Sequence, residues 1–359
     1  LTIKSGEGEQ VITVHADSAE VTLYLENPDG YEITAIEVDD ARTRLDSAVY
    51  DPNRKETFLN FTLYPDKYFD NYRLSKIHYK DAEGNEHIAL KDFKIKATFF
   101  KTISNMDQWN AISTTIAENY KLDVDLDFTN LNVKKGLMFN RLISSKKGEQ
   151  RTITGLNVGF TAAGNYHSYI KRINNEISDI AFNSTTITHA TTGTHSYVNL
   201  ILFNYGEMRN LTFNDLKIIA PNKHYVGIVG HNTGNKISDI TLNVANIQGK
   251  NYTGTLFAKT NSSPRDKFED ITATEITVTS TGTYVGGIFG YFDGRVAYNE
   301  APIYNRINIS IRTDKITAVI FLNCFIFFNC CNYCCSCCCN RRHLCSSYKN
   351  YRKEKAQEC

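Results

Sequence analysis

A repeat of about thirty residues limits the folds open to this chain more than any other feature. Four short segments align at intervals of 31, 29 and 31 positions: ISDI, MRNL, ISDI and FEDI, which end at Ile180, Leu211, Ile240 and Ile271. Each continues into a run of alternating apolar and polar residues, as in a strand buried on one side. A second motif lies between them, in the copies YVNLILF, YVGIVG, YTGTLF and YVGGIFG, which begin at Tyr197, Tyr225, Tyr252 and Tyr284.

One such repeat has an apolar stripe that it cannot bury by itself. Stacked repeats bury these stripes as one continuous column, so we predict a β-solenoid (β-helix), with two or three strands in each coil. The glycines of YVGGIFG should mark tight corners or points where a neighbouring backbone leaves no room for a Cβ atom. The outer positions, rich in Ser, Thr and Asn, should face water.

The first hundred residues lack this repeat and contain short alternating runs separated by turn sequences such as Asn27-Pro28-Asp29-Gly30. About seven strands at this spacing predict a small β-sandwich of the immunoglobulin-like type. The fold class is therefore all-β. The predicted domains are a β-sandwich over residues 1–100, a β-solenoid over 101–313 and an aberrant cysteine-rich tail over 314–359.

A short helix is predicted where the two folded domains meet. The sequence Ser104-Asn105-Met106-Asp107 has the spacing of a capping box, with Asp in the place of Glu. Trp109, Ile112 and Ile116 follow at helical intervals. This helix should open the second domain.

Composition excludes several classes of protein. All ten cysteines lie between Cys324 and Cys359, so disulfides cannot stabilise the preceding 323 residues. The formal net charge of +1 provides no overall field that would attract nucleic acid or an anionic membrane. The first ten residues have neither the basic start nor the apolar stretch of a signal peptide, and we interpret the chain as a fragment.

No complete catalytic site is visible. A zinc peptidase of the HExxH type needs two histidines four positions apart, and none of the nine histidines forms such a pair. His189 and His195 lie in a Thr-rich stretch, while His224 and His231 flank YVGIVG, and we interpret all four as loop or surface residues. We predict no catalytic, cofactor-binding or metal-binding residue in this chain.

Acidic residues provide two weaker candidate cation sites. Asp123, Asp125 and Asp127 resemble the start of a calcium loop, but Phe128 replaces the required Gly and Lys134 the bidentate Glu, so an EF-hand is excluded. The solvated face of an amphipathic strand is the preferred interpretation. The repeat also places four polar residues, Asp179, Asn210, Asp239 and Asp270, at one position in successive coils.

Such a stack would form a column of carboxylates about 4.8 Å apart, whose repulsion must be relieved by water, hydrogen bonds or a cation. The favoured interpretation is a row of residues at a bend in the backbone. The functional alternative is a calcium- and sugar-binding face like that of β-helical polysaccharide lyases. It would need a basic residue beside the column, and Arg209 is the only strong candidate nearby.

The chain resembles a known family over about residues 30 to 300. The segment from Met106 to Phe128, TITGLNV from Thr152 to Val158, and the ISDI and YVGGIFG repeats follow in order. This order is similar to the N-terminal, non-catalytic region of the immunoglobulin A1 protease family of zinc metallopeptidases, the Zmp-type surface proteases of Gram-positive cocci. The resemblance implies a secreted or cell-wall-attached protein whose zinc and HExxH site belong to a separate C-terminal domain.

Three functions follow as hypotheses. The first is the substrate-binding or spacer region of such a protease, with host glycoproteins such as immunoglobulin as partners and no activity in this chain. The second is a surface adhesin, which an exposed aromatic stripe on one face would favour. The third is a β-helical enzyme acting on polysaccharides.

The tail departs from the repeat and concentrates every cysteine in one short segment. Read one base later, Cys codons give Val or Ala, and Asn codons give Ile or Thr. We therefore hypothesise a frameshift near residues 312–320 that truncates the protein. Two alternatives are less favoured: a metal-binding cysteine tract, because the paired CxxC…CxxC spacing of such sites is not kept, and a membrane segment, because the apolar run Val319–Phe328 is too short and is interrupted by polar residues.

Overall fold

The described part of the chain is nearly all β, with one short helix, as predicted. The structure, a computed structural model, describes residues 1–3, 10–190, 196–234, 236–262, 267–282, 284–294 and 305–311. These residues belong to one compact unit, Leu1–Arg312. The predicted cysteine-rich tail over 314–359 lies outside the described residues. In the described part, no helix has the length and apolar character needed to cross a membrane.

An antiparallel domain forms the N-terminal part. Its strands are β1 (Thr2–Ile3), β2 (Gln10–Val14), β3 (Ala19–Glu26), β4 (Glu32–Val38), β5 (Ala41–Asp51), β6 (Glu56–Pro65), β7 (Tyr72–Lys80) and β8 (Glu86–Ile95). They form one sheet in the order β1-β3-β6-β5-β4-β7-β8, and β2 also pairs with β3. Strands β4 and β5 pair only at Val38 and Ala41, where the sheet turns back on itself. The two layers of the predicted sandwich are therefore joined into one barrel-like sheet.

A single apolar core lies inside this sheet. Val21, Leu23 and Leu25 alternate along β3 and are buried, as the two-residue period of a strand requires. Phe61 of β6 and Leu74 of β7 are fully buried in the same core. The domain is thus held together by packing alone, as the absence of cysteine from this region demands.

The rest of the described chain is a β-solenoid of about five turns. Its elements are β9 (Lys101–Ile103), α1 (Met106–Asn110), β10 (Glu118–Leu122), β11 (Leu126–Asp127), β12 (Leu137–Ser144), β13 (Arg151–Thr154), β14 (Asn157–Phe160), β15 (Tyr166–His189), β16 (Tyr197–Asn204), β17 (Glu207–Ile219), β18 (Tyr225–Asn232), β19 (Lys236–Gly249), β20 (Thr253–Gly254), β21 (Phe257–Ser262), β22 (Lys267–Ser280), β23 (Val285–Gly286), β24 (Phe289–Gly294) and β25 (Asn305–Ile311).

Equivalent residues of successive repeats lie side by side in parallel strands. Ile237 of β19 is the register partner of Met208 in β17 on one side and of Phe268 in β22 on the other. All three side chains are buried. The pairing continues along most of each strand, so each repeat adds one coil to a shared core. The predicted solenoid is therefore confirmed.

Residues in the left-handed backbone region bend the long strands at two points in each coil. The first column has φ between 48° and 58° and consists of Asp179, Asn210, Asp239 and Asp270. The second has φ between 49° and 55° and consists of Ser184, Asp215, Val244 and Glu275. Asp and Asn tolerate this conformation better than other residues that carry a Cβ atom. These bends give the coil its corners.

Helix α1 covers the N-terminal end of the solenoid core. Trp109 is buried, and its indole nitrogen donates a hydrogen bond of 2.8 Å to the hydroxyl of Tyr169. Its ring also packs against Phe128 and Phe139, at centroid distances of 5.8 and 6.0 Å. Since a coil without a neighbour would expose its apolar interior, this aromatic cluster takes the place of a preceding coil.

The predicted side-chain cap of α1 is present, but it lies one residue later in the chain than predicted. The N-cap is Asn105 instead of Ser104, and its side chain accepts a hydrogen bond from the backbone nitrogen of Gln108. The helix ends at Asn110, so Ile112 and Ile116 lie beyond it. Five residues are too few for a second turn to be stabilised by its own hydrogen bonds. Burial of the tryptophan therefore holds the helix in place.

Asp70 connects the N-terminal domain to the solenoid. Its carboxylate, which follows β6 and precedes β7, is only 12% exposed. It accepts hydrogen bonds from the side-chain amides of Asn119, Asn140 and Asn175 at 3.1, 3.2 and 2.7 Å. The guanidinium of Arg141 donates to it at 2.9 Å. These donors come from three successive solenoid strands, β10, β12 and β15.

Candidate binding surface

Five tyrosines form a ladder along one side of the solenoid. They occupy one position in successive coils and are Tyr166, Tyr197, Tyr225, Tyr252 and Tyr284. Adjacent ring centroids are 5.5, 4.3, 4.7 and 4.9 Å apart, with interplanar angles of 28°, 9°, 7° and 4°. The rings of the inner tyrosines stack face to face, so that each covers the faces of its neighbours. The end rungs are the most open, with Tyr166 60% and Tyr284 52% exposed.

The strand that follows each tyrosine folds sharply. The rings of Tyr197 and Phe203 have centroids 6.4 Å apart, although six residues of straight strand would span about 20 Å. In the coil of Tyr252 the backbones also approach closely: a Cβ atom at Gly254 would lie 2.4 Å from the backbone nitrogen of Gly290 and 2.4 Å from the backbone oxygen of Phe257. The close-approach role predicted for the glycines of YVGGIFG is confirmed at Gly290, where an added Cβ atom would lie 2.5 Å from the backbone carbonyl carbon of Tyr252.

A second column of side chains therefore lies against the ladder. Its members are register partners in successive coils: Arg172, Phe203, His231, Lys259 and Tyr291. Phe203 lies 6.0 Å from Tyr166, and Tyr291 meets Tyr252 edge-on at 5.4 Å. Next to Phe203, the ring of Tyr205 is 48% exposed. We call the two columns together with Tyr205 the ladder surface.

The ladder surface combines aromatic and basic side chains. Neither column contains Asp or Glu. The Nζ atom of Lys259 lies 5.9 Å from the ring centroid of Tyr291, within the range of a cation–π interaction. The Nε atom of Arg172 is buried and has no hydrogen-bond partner, and within the described part of the chain Arg172 forms no ion pair. One cationic donor of this surface is thus unsatisfied.

Burial changes the acidity of the ladder. It raises the pKa of the Tyr197 hydroxyl to about 12, with smaller contributions from the neighbouring Tyr225 and Tyr166. The pKa of Tyr225 is also raised, chiefly by burial. These hydroxyls are therefore protonated at any physiological pH and can donate hydrogen bonds from the edge of the stack.

The column that contains Asp179, Asn210, Asp239 and Asp270 lies at a bend, as the favoured interpretation requires. The carboxylate of Asp179 accepts a hydrogen bond of 2.7 Å from the side-chain amide of Asn210 and lies 3.5 Å from the guanidinium of Arg209. Arg209 also pairs with Glu176 and Glu207, at 3.4 and 3.8 Å. The basic residue that a lyase would need is therefore held by three carboxylates.

Each carboxylate of the candidate calcium loop has its own hydrogen-bond partner. Asp123, Asp125 and Asp127 are exposed, while Leu122 and Leu126 are buried, as the predicted alternation requires, but Asp123 and Asp125 lie between β10 and β11 and not on one continuous strand. Asp123 accepts a hydrogen bond from Ser145, Asp125 from Thr152 and Asp127 from Thr129, each at 2.8 Å. Three different partners hold the three carboxylates, and β10 and β11 are separate strands at this point.

One histidine prediction is wrong. His189 is the last residue of β15 and is 2% exposed, not a loop or surface residue, because the strand continues further than the Thr-rich composition indicated. Its ring centroid lies 4.1 Å from that of the buried His167. Burial, with the nearby His167 and Lys223, lowers the pKa of His189 to about 4. His195 lies outside the described residues.

Of the other two histidines, His231 lies within β18 and His224 directly precedes that strand. His231 belongs to the ladder surface, and His224 lies 3.5 Å from the side-chain amide of Asn251. No group of three His, Cys, Asp or Glu side chains able to hold a metal ion occurs among the residues that the structure describes. Comparison with protein-family models, curated proteins and solved structures gives no match.

The sequence indicates the ladder only in part. The motif tyrosines from Tyr197 onward are visible as the first residues of the second repeat, but Tyr166 and Arg172 are not. The spacing alone could have identified Tyr166, because it precedes Tyr197 by one repeat length of 31 residues. The contact between the two columns has no such signal, since it depends on the sharp fold of each strand.

Proposed function

We propose that this chain is a non-catalytic binding module of a secreted or cell-wall-attached protein, and that the ladder surface contacts its partner. The exposure of ordered aromatic rings carries this proposal. Tyr166, Tyr205 and Tyr284 are each about half exposed or more, at 60%, 48% and 52%. Contiguous aromatic surface in contact with water is typical of interaction sites, because tyrosine offers a stiff apolar ring and a hydroxyl group at little entropic cost.

The resemblance supports a parent protein of the immunoglobulin A1 protease family, a zinc metalloendopeptidase. In that protein this region would bind or present a host glycoprotein such as immunoglobulin, and zinc would belong to the catalytic domain. Sequencing the encoding DNA in all three frames beyond codon 312 tests this assignment. Continued repeats followed by HExxH would support it. Their absence from every frame would favour a free-standing adhesin.

The alternative of a polysaccharide-active enzyme receives no support from the geometry. A lyase needs a base that is free to act on its substrate, whereas Arg209 is engaged by Glu176, Asp179 and Glu207. The residues of the Asp179 column are explained by the bend of the backbone. Binding therefore accounts for more of the structure than catalysis does.

A binding experiment with two matched variants tests the module. Immobilised host glycoproteins, immunoglobulin A among them, are exposed to the wild-type chain, to Tyr284→Ala and to Leu90→Ala. Leu90 is 77% exposed in β8, away from the ladder. We expect binding that weakens several-fold for Tyr284→Ala only. Equal loss in both variants, or cleavage of the glycoprotein by the isolated chain in the presence of zinc, would contradict the proposal.

A further inference from the structure

The first rung of the ladder is the most exposed part of the ladder surface. Tyr166 has a stacked tyrosine on one side only, Tyr197, and is 60% exposed. The face of an aromatic ring carries negative electrostatic potential and attracts the weakly positive C–H groups of an apolar or sugar surface. A flat ring that is fixed on one side and open on the other is therefore a stacking platform.

Arg172 is the member of the second column that belongs to the same coil as Tyr166, and its Nε donor is unsatisfied. Arg172 is the register partner of Phe203, which in turn lies 6.0 Å from Tyr166. Its buried Nε atom has no hydrogen-bond partner. A guanidinium group presents its donors in a planar fork that matches a carboxylate, and leaving such a donor unpaired is costly. Because Nε itself is shielded from solvent, an anion from outside the chain would pair with the terminal nitrogens of the same guanidinium.

We propose that Tyr166 and Arg172 form a subsite for a carboxylate-bearing sugar, so that the partner of the ladder surface is an acidic glycan. The sugar ring stacks on Tyr166 while its carboxylate binds the Arg172 guanidinium. Further sugar residues run along the ladder towards Lys259, past columns that contain no carboxylate. This inference rests on the proposed binding function and specifies the chemistry of its ligand.

The test measures binding of the full chain to a sialylated glycoprotein before and after sialidase treatment, and to two free probes, 3′-sialyllactose and a hyaluronan hexasaccharide. Lactose and a dextran oligosaccharide are the neutral controls. The two probes distinguish a sialic acid from a uronic acid as the source of the carboxylate. We expect the acidic probe of one class to bind and both neutral sugars to bind at least about tenfold more weakly.

Variants locate the subsite. Arg172→Gln should weaken acidic-sugar binding about tenfold or more, and Arg172→Lys less, because lysine keeps the charge without the fork. Tyr166→Ala should weaken it about threefold to tenfold, whereas Tyr166→Phe keeps the stacking ring and should bind nearly as well. The matched control is Arg54→Gln, an exposed arginine between β5 and β6. Melting temperatures equal to wild type show that the variants are folded.

The outcomes separate the two proposals. Wild-type affinity in both Arg172→Gln and Tyr166→Ala, or glycoprotein binding that survives removal of every acidic sugar, overturns the glycan inference. If that surviving binding is still lost in Tyr284→Ala, the binding module stands and its ligand is an acidic or aromatic peptide segment. Absence of binding to every glycoprotein and every probe overturns the module itself.

Discussion

Single residues at the bends show how the solenoid tolerates variation within a repeat. In the second bend column, Val244 occupies a position that Ser, Asp and Glu fill in the other coils, and its φ is 55°. A β-branched side chain clashes with its own backbone in the left-handed region, at a cost of about 1–2 kcal/mol. Val244 is 47% exposed, so little burial offsets this cost.

We expect Val244→Asn to stabilise the protein by about 1 kcal/mol, because asparagine adopts the left-handed conformation more readily. The midpoint of urea-induced unfolding measures the effect. Val49→Asn is the control, since Val49 is 59% exposed in the extended strand β5. It should be neutral or slightly destabilising. A Val244→Asn protein no more stable than the Val49→Asn protein would refute the strain at this bend.

At the scale of elements, the close packing of coils at Gly254 depends on the absence of a side chain, although β16 folds with Asn199 at the equivalent motif position. At Gly254, the two atoms closest to an added Cβ are backbone atoms, which cannot move aside as a flexible side chain can. The neighbouring coils would have to separate locally. Because the ladder surface forms only when the strand folds, this glycine also positions the aromatic columns.

Gly254→Ala should therefore destabilise the solenoid by about 2–3 kcal/mol and weaken binding at the ladder surface. Gly159→Ala is the matched control. Its added Cβ would lie 3.7 Å from the Thr188 hydroxyl, an ordinary contact. The control should be neutral or slightly stabilising, because alanine restricts the unfolded chain. Similar melting temperatures for the two variants would show that the close approach is not required.

Some features of these elements can be predicted from the sequence and others cannot, depending on which interaction fixes them. The coils are visible in the sequence because burial of one stripe imposes the same residue type at Met208, Ile237 and Phe268. The bend at Asn210 is visible as a polar residue in a fixed position, although its left-handed φ is not. The contact of Tyr197 with Phe203 could not be predicted, since alternation along a strand assumes a straight backbone.

At the scale of the whole molecule, the two domains share a partly buried electrostatic contact. The carboxylate of Asp70 satisfies Arg141, which also pairs with Glu176 deeper in the solenoid. Glu176 in turn lies 3.4 Å from Arg209. A chain of charges therefore runs from the N-terminal domain across successive coils. Breaking one partner of such a partly buried network costs far more than breaking an exposed ion pair.

We expect Asp70→Ala to weaken the attachment of the N-terminal domain by about 2–4 kcal/mol, since Arg141 and three asparagine amides lose their acceptor together. Calorimetry should then resolve two unfolding transitions, and amide hydrogen exchange should increase at Asn119, whose backbone nitrogen donates to the oxygen of Tyr68 at 2.7 Å.

Asp66→Ala is the control, because Asp66 pairs with Arg42 in an exposed bridge and should change stability by less than about 0.5 kcal/mol. A single transition at the wild-type temperature in Asp70→Ala would mean that apolar packing alone joins the domains.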